Sequence, residues 1–94
     1  MDDIEFPKSK YIEFQPAKGF IRCKLIARVW EIVNKGSSLV LGEIWFHYRW
    51  RQFVVTFDDA TFNHECLNTI GEALKMLTAM KRLEDKERKD GRSE

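Results

Sequence analysis

Apolar and polar residues alternate through Ile21, Cys23, Leu25, Ala27 and Val29, with Arg22, Lys24 and Arg28 between them. A repeat of two is that of a half-buried strand, because successive side chains leave opposite faces of the pleat. Ile26 and Trp30 interrupt the alternation, so a bulge is expected near Ile26, with the pattern resuming through Trp30, Glu31, Ile32 and Val33. Ahead of this segment, Tyr11-Ile12-Glu13-Phe14 is short, aromatic and β-branched, and it is closed by Pro16 and Gly19, which reads as an edge strand. Asn34 to Ser38 forms a turn cluster of hairpin length, with Gly36 available for a positive φ. Leu39–Phe46 and Trp50–Phe57 then form two arms about a turn at His47-Tyr48-Arg49. Ile44 and Phe46 share one face with Phe53, Val55 and Phe57, leaving Trp45 and Glu43 on the other.

After Asp58-Asp59 the period changes. Leu67, Ile70, Leu74 and Leu77 recur at three- and four-residue steps, flanked by Cys66, Ala73 and Met80, which predicts a helix laid across the sheet. Asn63 is placed as its N-cap, Phe62 as a staple against Leu67, and Glu65 beside the positive end of the helix dipole. Gly71 costs about 1 kcal/mol relative to alanine inside a helix, so a close approach to a bulky sheet aromatic is expected there. Glu84 with Arg88 and Asp85 with Lys89 are acid-before-base pairs at i, i+4 on a thinning stripe. The expected fold is α+β: an antiparallel three- to four-stranded β-meander with one C-terminal helix packed on one face. Residues 1–94 form a single domain, with 1–9 frayed, 10–57 in the sheet, 63–88 helical and 89–94 a frayed tail. Its core is expected at Leu25, Val29, Ile44, Phe46, Phe53, Val55, Phe57, Leu67, Ile70, Leu74 and Leu77.

With 94 residues, 44% of them hydrophobic, the chain can close one core but not two. Cys23 and Cys66 stand alone in apolar settings, as reduced thiols of a cytoplasmic protein do. Acids at Asp2, Asp3 and Glu5 replace the basic start of a secretory leader, and no stretch approaches the ~18 apolar residues of a membrane span. A cytoplasmic location without membrane association is expected.

The string Leu41-Gly42-Glu43-Ile44-Trp45-Phe46-His47-Tyr48-Arg49-Trp50-Arg51-Gln52-Phe53, followed by Cys66-Leu67-Asn68-Thr69-Ile70, resembles a pattern in small uncharacterised proteins of bacteriophages and prophages. These carry an L-G-x-I, an aromatic pair, a turn, W-R-Q-Y/F, an apolar strand and a helix entered through C-L-x-x-I. The resemblance covers about residues 28–75 and departs at His47-Tyr48, where the family has a Gly- or Pro-containing linker. It implies a meander followed by a helix and a phage or prophage origin, and it transfers no catalytic residue.

Charge refines the picture. Residues 20–51 hold six basic and two acidic groups, whereas 52–80 hold one and four. Arg22, Lys24, Arg28, Arg49 and Arg51, interleaved with Trp30, Trp45, Tyr48 and Trp50, could neutralise phosphates while the rings stack on bases, so nucleic-acid binding is one reading. The same residue types dominate protein interfaces, and a water-facing sheet ordinarily carries cations over aromatics. Protein–protein binding, to a homodimer mate or a foreign partner, is therefore the leading expectation, centred on Trp45, Tyr48, Arg49, Trp50 and Arg51. Metal ligation would draw on His47, His64, Cys23 and Cys66, but His64 and Cys66 diverge at i, i+2 on a helix, and zinc needs four ligands. Cys66 as a nucleophile would need a base and an orienting group, and Asp58-Asp59 reads instead as a strand end. With no Gly-rich phosphate loop, G-x-S-x-G or H-E-x-x-H, no enzyme, cofactor, metal or small-molecule substrate is expected.

Overall fold

Four strands and one helix follow one another in a computed structural model that describes residues 4–19, 28–58 and 60–92. Strand β1 is Ile12–Pro16, β2 Trp30–Asn34, β3 Val40–His47 and β4 Gln52–Phe57, and helix α1 is His64–Arg92. Neighbouring strands pair antiparallel in the order β1-β2-β3-β4, so the fold is α+β, a four-stranded meander with one C-terminal helix. Arg22, Cys23, Lys24, Leu25 and the bulge expected at Ile26 lie outside the described residues. Among the described residues a register shift occurs between Ile32 and Val33, where Leu41 is the extra residue on β3.

Register sorts the side chains. Phe14 opposes Ile32, Trp30 opposes Ile44, and Ile44 and Phe46 oppose Val55 and Phe53, so one apolar face runs across all four strands. Helix α1 packs on this face through Cys66, Ile70, Ala73 and Leu77. Ile32, Ile44, Ile70 and Leu77 are fully buried, each contributing about 1.5 to 3 kcal/mol from apolar burial. The stripe keeps Ile70 and Leu77 of the expected one, with Leu74 at its margin, but Leu67 is 47% exposed and the smaller Cys66 faces inward instead. Phe57 is also largely exposed, whereas Ile12, Trp30 and Ile32, absent from the expected core, lie at its centre.

The helix leaves the β1–β2 end of the face open, and the N-terminal segment fills it. Phe6 stacks on Phe14 at 4.8 Å and meets Trp30 edge-on at 5.7 Å, and Ile4 packs against the same cluster. Ile4 and Phe6 thus pack against the core while Glu5 between them is exposed, and the two apolar side chains cover the large Trp30 ring.

Local chemistry sets the element ends. Asn63 Oδ1 accepts the Cys66 N–H at 2.9 Å, the expected N-cap bond. Phe62 meets Phe57 with ring centres 4.6 Å apart and planes tilted by 45°, while its expected staple partner Leu67 is 47% exposed. A Cβ built on Gly71 meets nothing within 4 Å, so no sheet aromatic crowds the helix there. In the β2–β3 turn, Asn34 Oδ1 accepts the N–H groups of Gly36 and Ser37, and the left-handed residue is Ser38 (φ 62°) rather than Gly36. At about 1.5 Å per residue, α1 spans roughly 43 Å and defines the 50 Å long axis. Lys81 is buried towards the C-terminal part of the helix, where its ammonium pairs with Asp85 and sits 5.4 Å from the Phe46 ring centre. Beyond it the helix continues to Arg92, past the expected end at residue 88.

Candidate functional site

The β3–β4 connection brings most of the candidate residues together. His47 closes β3, and its carbonyl accepts the Arg51 N–H at 2.7 Å across a turn of Tyr48, Arg49, Trp50 and Arg51. Arg51 takes a left-handed φ of 55°, which lets the chain re-enter β4 at Gln52. Trp50 consequently belongs to the turn and not to the strand. Its N–H donates to His47 Nδ1 at 3.2 Å, and its ring stacks on the imidazole at 4.3 Å and 14°. On the other side of His47, two residues back along the strand, Trp45 stacks at 5.5 Å. The Trp45 indole N–H donates to Thr56 Oγ1 at 2.9 Å, fixing that ring against β4.

Trp45, His47 and Trp50 therefore form a ladder of three rings on the face away from α1. Trp45 is 36% exposed and Trp50 61%. Tyr48, 71% exposed, belongs to the other side, where it meets Phe46 edge-on at 5.5 Å. Arg49 and Arg51 are exposed in the turn between them. By sequence His47 is a turn residue, a weak metal ligand and, with His64, a candidate base for Cys66. The signal that would have placed it in the ladder is its i, i+2 spacing from Trp45, which puts both rings on one face of a strand.

The basic sheet face is not what the described residues form. Arg28 is only 9% exposed, with its guanidinium 5.7 Å from the Trp30 ring centre, and Trp30 itself is a core residue. Arg22 and Lys24 lie outside the described residues. Across the open face the pairing instead aligns Gln15, Glu31, Glu43 and Thr56 in one row, with Gln15 Nε2 donating to Glu31 Oε1 at 2.8 Å. Among the described residues this face is acidic in its middle, with Arg49 and Arg51 at the β3–β4 turn.

A second concavity lies between β4 and α1. It measures about 570 Å³, and its walls include Val55, Gly71, Lys75, Thr78, Ala79 and Arg82. No cluster of three or more His, Cys, Asp or Glu residues able to hold a metal occurs among the described residues. Cys66 is buried and His64 exposed, so this pair does not converge.

No family model, curated protein or solved structure matches the chain. The functional reading therefore rests on this geometry.

Proposed function

We propose that the chain is a small non-enzymatic accessory protein of phage or prophage type, working in the cytoplasm by protein–protein binding through the aromatic end of its sheet. The observation that carries this reading is the Trp45–His47–Trp50 ladder, a large aromatic surface in water that covers none of the core. Tryptophan, tyrosine and arginine are enriched among the residues that anchor protein interfaces, and Arg49 and Arg51 lie in the same turn as the ladder, with Tyr48 on the opposite side. The stack and the Thr56 hydrogen bond hold Trp45 and Trp50 in place before any partner arrives, which lowers the ordering cost of association. No described helix is long and apolar enough to cross a membrane.

Nucleic-acid binding is the second reading, supported by Arg49 and Arg51 beside stacked rings. Glu31 and Glu43 oppose it, since a phosphate backbone tracking across the open face would meet their carboxylates. Three measurements separate the readings: sedimentation over a concentration series, capture of proteins by wild type against Trp50→Ala, and nucleic-acid titrations at roughly 50 and 200 mM salt. Self-association or a captured partner lost in Trp50→Ala and Trp45→Ala but kept in Arg51→Glu supports the protein reading. Salt-suppressed nucleic-acid binding lost in Arg51→Glu installs the second. Association unchanged by all three substitutions removes the aromatic end as the site.

A further inference from the structure

The concavity beside β4 has the parts of a strand-accepting groove. Among the described residues β4 is an edge strand, and its backbone orientation follows from two hydrogen bonds. Phe53 N–H donates to Thr78 Oγ1 at 3.0 Å rather than to β3, and Asp58 N–H donates to the Leu41 carbonyl at 3.0 Å. Because inward and outward groups alternate along an antiparallel strand, Phe53, Val55 and Phe57 turn their N–H and C=O groups away from β3. Thr78 occupies the first donor, leaving the groups at Val55 and Phe57 on the outer edge. The facing wall of α1 is kept low by Gly71 and Ala79, and a Cβ at Gly71 would meet nothing within 4 Å. At about 570 Å³ the space lies within the ~300–1,000 Å³ range of ligand sites.

The other edge is built differently. Ala17 N–H donates to the Val29 carbonyl and Lys35 N–H to the Tyr11 carbonyl, so the odd-numbered residues of β1 face β2 and the even-numbered ones face outward. Pro16 is one of the outward residues and has no N–H to offer, a common device against strand addition. An incoming strand thus finds a better edge at β4.

Charge indicates what kind of strand. Lys75 and Arg82 line the groove and no acid does. The two cations are seven positions apart in the helix, roughly 10 Å along the axis. An extended chain covers that distance in about three residues, so acids two to four positions apart on one side of a strand can reach both. We infer that the β4–α1 groove binds an extended acidic segment of a partner protein, which adds to the sheet at Val55 and Phe57 and places carboxylates on Lys75 and Arg82. This site shares no residue with the aromatic end and stands or falls separately from it.

The test is fluorescence anisotropy of the full chain with a labelled peptide of roughly eight residues alternating glutamate and valine, about the length of one strand. Amide chemical shifts are followed in parallel. Saturable binding that shifts the Val55 and Phe57 amides, falls about tenfold or more in the Lys75→Glu, Arg82→Glu double variant, and disappears for a peptide with central prolines supports the inference. Circular dichroism of the double variant, whose changed residues are both exposed, verifies that its fold is intact. Absence of binding, equal binding of a lysine–valine peptide, or shifts confined to Trp45 and Trp50 overturns the inference. So does dimerisation without peptide that is lost in the double variant, which would make a second copy of the chain the occupant.

Discussion

Replacing Gly71 with alanine should stabilise this protein. Gly71 lies about two turns into α1, beyond the fraying first turn, and alanine is favoured over glycine in a helix interior by about 1 kcal/mol. Much of that difference comes from the smaller conformational freedom of alanine in the unfolded chain. The native structure adds no penalty, since the new methyl group meets nothing within 4 Å. The expected gain is about 0.8 to 1 kcal/mol, or a Tm rise of roughly 4 to 8 °C for a domain of this size. Urea unfolding followed by far-UV circular dichroism should show a higher midpoint with an unchanged slope, because the surface exposed on unfolding is nearly the same. An unchanged or lowered midpoint would refute the reasoning, because it would mean that a neighbour crowds the helix at this position after all.

Gly42→Ala should act in the opposite direction: its Cβ would stand 2.7 Å from the Thr56 carbonyl oxygen, so backbone must move, and a loss of about 1 to 3 kcal/mol is expected in the same urea assay. Asn63→Ala removes the acceptor for the Cys66 N–H and should cost about 1 kcal/mol, with Asn63→Asp retaining most of it. Asp85→Ala strips the buried Lys81 ammonium of its counter-ion and should cost about 1 to 3 kcal/mol. Lys81→Met, which keeps an apolar stem over Phe46, should change stability by less than about 1 kcal/mol, and thermal melts showing the reverse order would contradict the pairing.

The meander and the helix were legible because each rests on local signals: alternation in Ile44 to Phe46 and Phe53 to Phe57, the turn residues Asn34 to Ser38, and the cap at Asn63. The phase of the helix stripe was not. Leu67-Ile70-Leu74-Leu77 and Cys66-Ile70-Ala73-Leu77 have equally good helical spacing, and the second faces a core already holding the bulky Trp30 and Phe53, where Cys66 and Ala73 occupy less volume. Gly36 was the obvious residue for a positive φ, yet with the Gly36 and Ser37 amides donating to Asn34 Oδ1 the left-handed residue is Ser38. At the candidate site, the exposed aromatic and basic turn was readable from Trp45 to Arg51. The retreat of Arg28 over Trp30 was not, because a cation in an alternating strand carries no sign of whether it meets water or a ring.

The three tryptophans occupy three optical environments. Trp30 is sealed in the core, Trp45 is half-covered with its indole N–H bonded to Thr56, and Trp50 lies in water with an imidazole 4.3 Å from its ring. Emission from Trp30 reports the integrity of the fold, while a collisional quencher in the solvent reaches Trp50 first and Trp45 less readily. The protein therefore carries its own two-channel reporter, in which occupancy of the ladder and loss of the core change different parts of one spectrum.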